Sequence, residues 1–408
     1  MKKLFVGWLL VAFLLPVVPV RASEQQDDLR LQLAAIMEYL SALSPSMTLT
    51  EAEIREVINN GASWIVRAQA ADGHFNYEYS PYDDTYSDSD NMVRQAGTLF
   101  MLSEIYKHRS TPDTTEARAI ERSIAYFESL SGQSRTSDDD FLCIKNGAKN
   151  SRCALGTTAL TLIGVINYVT AEPSKQADYQ ELIDSYSAYL QAAKFPSRGF
   201  SSEYSLYNGF IDAESSFFTG EAMLALVRLY QLDPQPWIKT MLHDTFTYLE
   251  KQERDNNLYL WIMAALKDMQ QLWPNEAYVT YTESFTSARL IDMSTRHAST
   301  HNYCALMEGV TSAYSILAGN IDGVKQSYLL SEINFWQQKT TRLQLEQDNP
   351  YRLVIIDSVP QLLKAPRPKL GHGGFLTGES ELTQRIDFTQ HCVSSYLQKL
   401  VDVDGQSL

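Results

Sequence analysis

"ALGTTALTLIGVI", residues 154–166, carries no charge, and its small and apolar side chains leave no face suited to water. "DYQELIDSYSAYLQAA", residues 178–193, follows after a short polar break and sets an apolar stripe against acidic and amide side chains. A helix that is apolar around most of its circumference belongs in an interior, and an amphipathic helix covers it. The contrast recurs outward in both directions. "AGTLFMLSEIY" (96–106), "TGEAMLALVRLY" (219–230), "LWIMAALKDM" (260–269) and "CALMEGVTSAYSIL" (304–317) have the inner character, whereas "TTEARAIERSIAYFESL" (114–130) has the outer one.

Apolar periodicity predicts a leading helix over about 26–43. Twelve more follow, near 51–69, 91–107, 114–131, 154–170, 175–193, 214–231, 236–252, 257–271, 275–292, 302–318, 323–346 and 382–402. Those near 91, 154, 214, 257, 302 and 382 read as inner. Twelve helices in strict alternation predict an all-α (α/α)6 toroid of six helical hairpins, with 51–69 closing the ring beside 382–402. The stretches 72–106, 197–230 and 372–397 repeat weakly: each has a Gly-Phe or Gly-x-Phe turn that leads, through tyrosine-rich loops in the first two, into an inner helix. No linker divides the chain, so one toroid domain is expected over 51–408, after an N-terminal helical extension over 23–50.

The start, "MKKLFVGWLLVAFLLPVVPVRAS", has two lysines, a short apolar run broken by prolines and a small-residue site after Ala22. It reads as a signal peptide over 1–22, which predicts a periplasmic or secreted protein with no transmembrane segment in the mature chain. Losing Lys2, Lys3 and Arg21 would take the net charge from −15 to −18. With no basic cluster, that balance argues against nucleic acid as a partner. In an oxidising compartment Cys143 and Cys153 are expected to close the polar loop "CIKNGAKNSRC" as a disulfide, while Cys304 and Cys392 either pair or stay as buried thiols.

The alternation, the Gly-Phe turns and the motifs "NMVRQAG" (91–97), "FFTGEAMLAL" (217–226) and "GGF…RIDFTQH" (373–391) resemble the (α/α)6-toroid proteins of bacterial exopolysaccharide and envelope biology. That superfamily includes six-hairpin glycosidases, polysaccharide lyases and the helical domain of uronyl C5-epimerases. The resemblance covers about 51–402 and implies a glycan partner, without specifying a catalytic set.

Polar residues interrupt the inner helices near their starts. If those helices are parallel, Asn91, Arg94, Glu214, Glu221, Trp261, His301, Tyr303, Arg385, Asp387 and His391 share one end of the ring. Asp387, Glu214 and His391 are the catalytic candidates. Asp387 and Glu214 would supply the two carboxyls of glycoside hydrolysis, with Glu221 and Glu308 behind them. A lyase or epimerase would instead use His391, His301 or Tyr303 as base. Arg94, Arg385, Tyr77, Trp261, His74 and His372 are expected to bind substrate, the two histidines on rim loops; His108 and His243 read as surface residues. The interval 347–381 shows no clear secondary structure and is expected to be a lid, a binding loop or disordered.

No cofactor or metal is expected. "DDTYSDSD" (83–90) lacks an EF-hand glycine and "SDDD" (137–140) is too short for one, so both read as solvated acidic loops. His297 and His301 in "RHASTH" have i,i+4 spacing without the glutamate of a zinc-protease motif. The sequence favours an exported polysaccharide-active enzyme, hydrolase ahead of lyase or epimerase. The alternative is a non-catalytic toroid that binds a glycan or partner in an envelope assembly.

Overall fold

The computed structural model describes residues 22–42, 48–133, 140–295, 303–356, 359–378 and 381–408. The expected signal peptide except Ala22, the "RHASTH" stretch with His301, and all of "SDDD" except Asp140 lie outside them. The helices are α1 (Ala22–Ala42), α2 (Glu51–Ala68), α3 (Met92–Lys107), α4 (Thr114–Leu130), α5 (Leu155–Ala171), α6 (Gln176–Ala193) and α7 (Ser216–Leu232). They continue with α8 (Pro236–Leu249), α9 (Tyr259–Leu272), α10 (Glu276–Thr295), α11 (Tyr303–Leu317), α12 (Gly323–Thr341), the short α13 (Pro368–Gly371) and α14 (Ile386–Gln398).

Six of them, α3, α5, α7, α9, α11 and α14, pack each against the next, and α14 closes the ring on α3. The others, from α2 to α12, surround this ring. The fold is therefore an (α/α)6 toroid. Every residue of α5 from Leu155 to Val169 is buried, because α3 and α7 flank it while α4 and α6 cover its back. In α6 the buried residues Leu182, Ile183, Tyr186, Tyr189, Leu190 and Ala193 form one stripe. A capping box between Thr50 and Glu53 fixes where α2 begins.

The weak repeat has a structural meaning. Gln69, Lys194 and Gln344, each just beyond an outer helix, bridge to the buried Phe75, Phe200 and Phe375. Gly73 and Gly373 make two of these turns with φ of +100° and +86°. A Cβ there would also stand 2.2 Å from the Arg122 carbonyl oxygen and 2.0 Å from that of Asn60. Only glycine satisfies both conditions.

Short strands decorate the loops. β1 (Glu78–Ser80) lies between β2 (Thr85–Tyr86) and β10 (Gln384–Arg385), with Glu78 opposite Arg385 and Tyr79 opposite Gln384. β3 (Ser131–Gln133) pairs with β4 (Leu142–Ile144), and β5 (Arg152–Ala154), β6 (Glu203–Ser205) and β7 (Gly209–Phe210) form a second three-stranded sheet. The interval 347–381, expected to be irregular, instead contains the antiparallel hairpin β8 (Tyr351–Ile356) and β9 (Val359–Lys364). Asp28 of α1 pins that hairpin, accepting from the Tyr351 hydroxyl and, at 3.2 Å, from Lys364 Nζ.

Both cysteine pairs are bonded: Cys143–Cys153, with Cα atoms 5.9 Å apart, and Cys304–Cys392, at 4.5 Å. Such bonds persist in oxidising compartments. Among the described residues, no helix is long and apolar enough to cross a membrane.

Candidate active site

The starts of α3 and α14 meet at one end of the ring. Asp387, in the first turn of α14, is chelated by Arg385, whose Nε and Nη2 donate to its two oxygens at 2.6 and 2.9 Å. Arg94 Nε, from the first turn of α3, stands 3.0 Å from Asp387 Oδ2, and another Arg94 nitrogen donates to the Tyr77 hydroxyl. Arg385 also lies over the Phe388 ring, 4.8 Å from its centroid. Burial, followed by the Asp387 charge, raises the Tyr77 pKa. Arg94 is the accessible member, with 40% of its side chain exposed against 8% for Asp387.

One turn deeper on α14, His391 Nδ1 lies 2.7 Å from Glu308 Oε2 of α11. A carboxylate can only accept, so Nδ1 donates in this contact. The imidazole is 13% exposed and the carboxylate behind it 2%. The His391 ring meets the edge of Trp261 at 6.1 Å, and Trp261 in turn stands 6.1 Å from Phe100. Phe100 belongs to α3 and Trp261 to α9, on opposite sides of the ring, so the two aromatics meet across the lumen.

Glu221 lies on the inner face of α7. It is 2% exposed, and its Oε2 has no hydrogen-bond partner. Burial alone pushes its carboxyl up to about 8. The oxygen occupies the space that a side chain on Gly156 would take, 2.1 Å from an imagined Cβ.

Farther down the ring a charged layer closes the lumen. Arg228 forms ion pairs with Asp268 at 2.5 Å and Glu104 at 3.2 Å, Lys267 with Asp402 at 2.6 Å, and Lys107 with Glu104 at 2.9 Å. The cavity that Glu104, Arg228, Lys267 and Asp402 line with Phe100 measures only about 20 Å³, room for about one water. Arg228 and Asp268 follow Glu221 and Trp261 by seven residues, two helical turns on the same face. In layers along the ring come the arginines at the mouth, then the largely buried His391, Glu308, Trp261 and Glu221, then an aromatic and ionic floor, the layering of a cup.

The other candidates lie elsewhere. Glu214 precedes α7 and faces outward: it accepts from the Gly199 amide at 3.1 Å and the Tyr248 hydroxyl at 3.2 Å, with Arg198 at 3.6 Å. It shares no partner with Asp387, and the expected pair is not brought together. His74 bonds Asp72 at 2.6 Å and tilts against Tyr126 of α4. Tyr303 stacks on Trp336 of the outer helix α12 at 4.4 Å. His372 Nδ1 sits 3.2 Å from the Leu345 carbonyl oxygen. Asn91 caps α3 by accepting from the Arg94 amide. In the acidic loop, Asp84 holds Arg367 at 2.6 Å and Asp90 accepts from Gln95 at 2.8 Å. No group of three metal-ligating side chains occurs among the described residues.

Phe100, Gln390 and the charged floor were not singled out from the sequence. Gln390 fills the space beside Gly97 and approaches His391 Nδ1 at 3.5 Å. The seven-residue step from Glu221 to Arg228 was the available signal for the floor.

The ring defines an (α/α)6 toroid of helical hairpins. Solved structures agree. A glycoside hydrolase family 76 mannosidase of Bacteroides thetaiotaomicron VPI-5482 superposes with a TM-score of 0.61 at 10% identity, over 86% of this chain and 99% of that one. An inactive variant of an α-1,6-mannanase of Salegentibacter sp. HEL1_6, in complex with α-1,6-mannotetrose, gives 0.57 at 12% identity, over 85% and 98%. A sugar epimerase from a ruminal bacterium gives 0.57 at 11%, over 88% and 99%. At such identities the likeness establishes the fold alone. No family model and no curated protein matches the sequence.

Asp387→Asn tests what the mouth cluster does. Both carboxylate oxygens are occupied by guanidinium groups, so the substitution leaves two cations without their counter-charge. A stability loss of about 2 kcal/mol is expected, less than a fully buried pair would cost because Arg94 is partly solvated. Urea unfolding measures it; an unchanged midpoint would show that the cluster does not hold the mouth together.

Proposed function

We propose that this chain is an exported glycan-active enzyme, a glycoside hydrolase that works in the cup at the inner-helix starts. One observation carries the proposal: two buried carboxyls with opposite surroundings. Glu221 has an unpaired oxygen and is pushed up to about 8, whereas Glu308 is bonded to an imidazole. Glycosidic cleavage needs a group that delivers a proton to the leaving oxygen and another that activates water. Glu221 keeps its proton at neutral pH and is the acid. His391 Nε2 takes the proton from water, while Glu308 orients the ring and balances the imidazolium that forms. Trp261 and Phe100 offer flat apolar surface beneath a sugar ring. Arg94 donates to sugar hydroxyls at the mouth, and Asp387 fixes the two guanidiniums rather than moving a proton.

Export rests on the leader over 1–22 and on the two disulfides. In this reading the toroid domain over 51–408 acts after cleavage near Ala22, with 23–50 as an extension.

The mannanase-like fold makes α-1,6-mannan the first substrate to try, beside other envelope and secreted polysaccharides. Purified mature protein should release reducing ends from one of them. The second reading is sugar epimerisation or isomerisation. It is favoured by the greater exposure of His391 over Glu308, which suits removal of a carbon-bound proton. An aldose in D2O would then gain deuterium beside its carbonyl. Deuterium uptake without cleavage would replace the hydrolase reading with this one, and tight glycan binding with neither reaction would leave a binding protein.

A further inference from the structure

The Cys304–Cys392 bond stands beside the Glu308–His391 contact, and the two links join the same two helices. Cys304 and Glu308 are four residues apart on α11, hence one turn apart on nearly the same face. His391 and Cys392 are neighbours on α14. The bonded cysteines are 4% and 1% exposed, and their Cα atoms lie 4.5 Å apart. Cys304 is the second residue of α11, in the first turn, where backbone amides lack intrahelical partners and helices fray. Glu308 stands only one turn farther in. Its carboxylate contacts His391 Nδ1 at 2.7 Å, so drift of that helix start would move the pair apart.

We infer that the Cys304–Cys392 disulfide is a positioning device for the Glu308–His391 pair, and that its reduction uncouples the pair. The inference rests on the roles given to these residues under the proposed function, but its structural half can be tested without any substrate. The Cys143–Cys153 bond, which joins β4 to β5 on the loop before α5, supplies the internal control.

The experiment compares the Cys304→Ala/Cys392→Ala variant with Cys143→Ala/Cys153→Ala, each well below its melting temperature. In histidine-labelled protein, proton–nitrogen NMR follows the His391 Nδ1–H resonance, assigned by its loss in His391→Asn. The resonance should be exchange-protected in the wild type and the control, and lost or exchange-broadened in the first variant. On the glycan that the wild type cleaves, kcat should fall about 10- to 100-fold, as expected for a misplaced catalytic group, while KM stays within about twofold. Should the first variant not fold, wild-type protein reduced at low temperature is compared with the oxidised control variant, which lacks only the Cys143–Cys153 bond. A protected Nδ1–H without the disulfide would overturn the inference whatever the activity. Loss of the resonance with unchanged kcat would uphold the positioning and overturn the catalytic role given to the pair. A wild type that cleaves nothing defeats the proposed function, and the NMR comparison alone then decides whether the disulfide positions the pair.

Discussion

His391→Asn should lower turnover by about 10²–10⁴, the usual contribution of a general acid or base, while the protein remains folded. Asparagine can place its amide N–H where His391 Nδ1–H now meets Glu308 at 2.7 Å, so the buried carboxylate keeps a donor. What disappears is Nε2, the atom assigned to accept a proton from water. The pH–rate profile is the sharper readout. The limb that reports protonation of the imidazole should vanish, leaving the limb set by the acid. Activity within tenfold of wild type would remove His391 from the mechanism.

Glu221→Gln should also cost at least 10² in rate, and it should stabilise the protein. Burial holds this carboxyl protonated up to about 8, whereas an unfolded chain ionises it near the model value of 4.5. Below 4.5 both states are protonated and no penalty exists. As pH rises the unfolded state gains a charge that the folded state refuses, and the native protein loses roughly 1.4 kcal/mol per pH unit until about 8. Glutamine never ionises and escapes that loss. Melting temperatures of the variant and the wild type should therefore coincide near pH 4 and separate in the variant's favour as pH approaches 8. A gain in stability together with a loss of rate is the signature of a group strained for function. Equal melting curves at every pH would place Glu221 in water, with an ordinary ionisation.

The helical ring was legible because its two kinds of helix differ so plainly. Leu155–Val169 had no face left for solvent, and Gln176–Ala193 had one. The strands were not legible: β2 and β10 are two residues long, too short to show alternation. The β8–β9 hairpin is longer, but prolines at 350 and 360 break the pattern that would announce it.

The site was half legible. Its end of the ring follows from where polar residues interrupt apolar helices, yet proximity to a helix start does not say which way a side chain points. Tyr303 and Glu308 lie five positions apart, roughly 140° around α11. One stacks on the outer Trp336 and the other meets His391 inside. Glu214 precedes the helix, so its direction is set by the turn, and it joins Arg198 and Tyr248. Glu221 shares a stripe with Arg228 and so faces in. The Cys304–Cys392 bond could not be chosen from spacing, because it depends on α11 and α14 becoming neighbours as the ring closes.

The central claim is that a glycan reacts inside this cup, and a crystal structure of Glu221→Gln with an oligosaccharide of the cleaved glycan tests it most directly. The account predicts a sugar ring over Phe100 and Trp261, its scissile oxygen facing residue 221 and a water between the sugar and His391 Nε2. An oligosaccharide bound on the outer surface, with the cup empty, would contradict it.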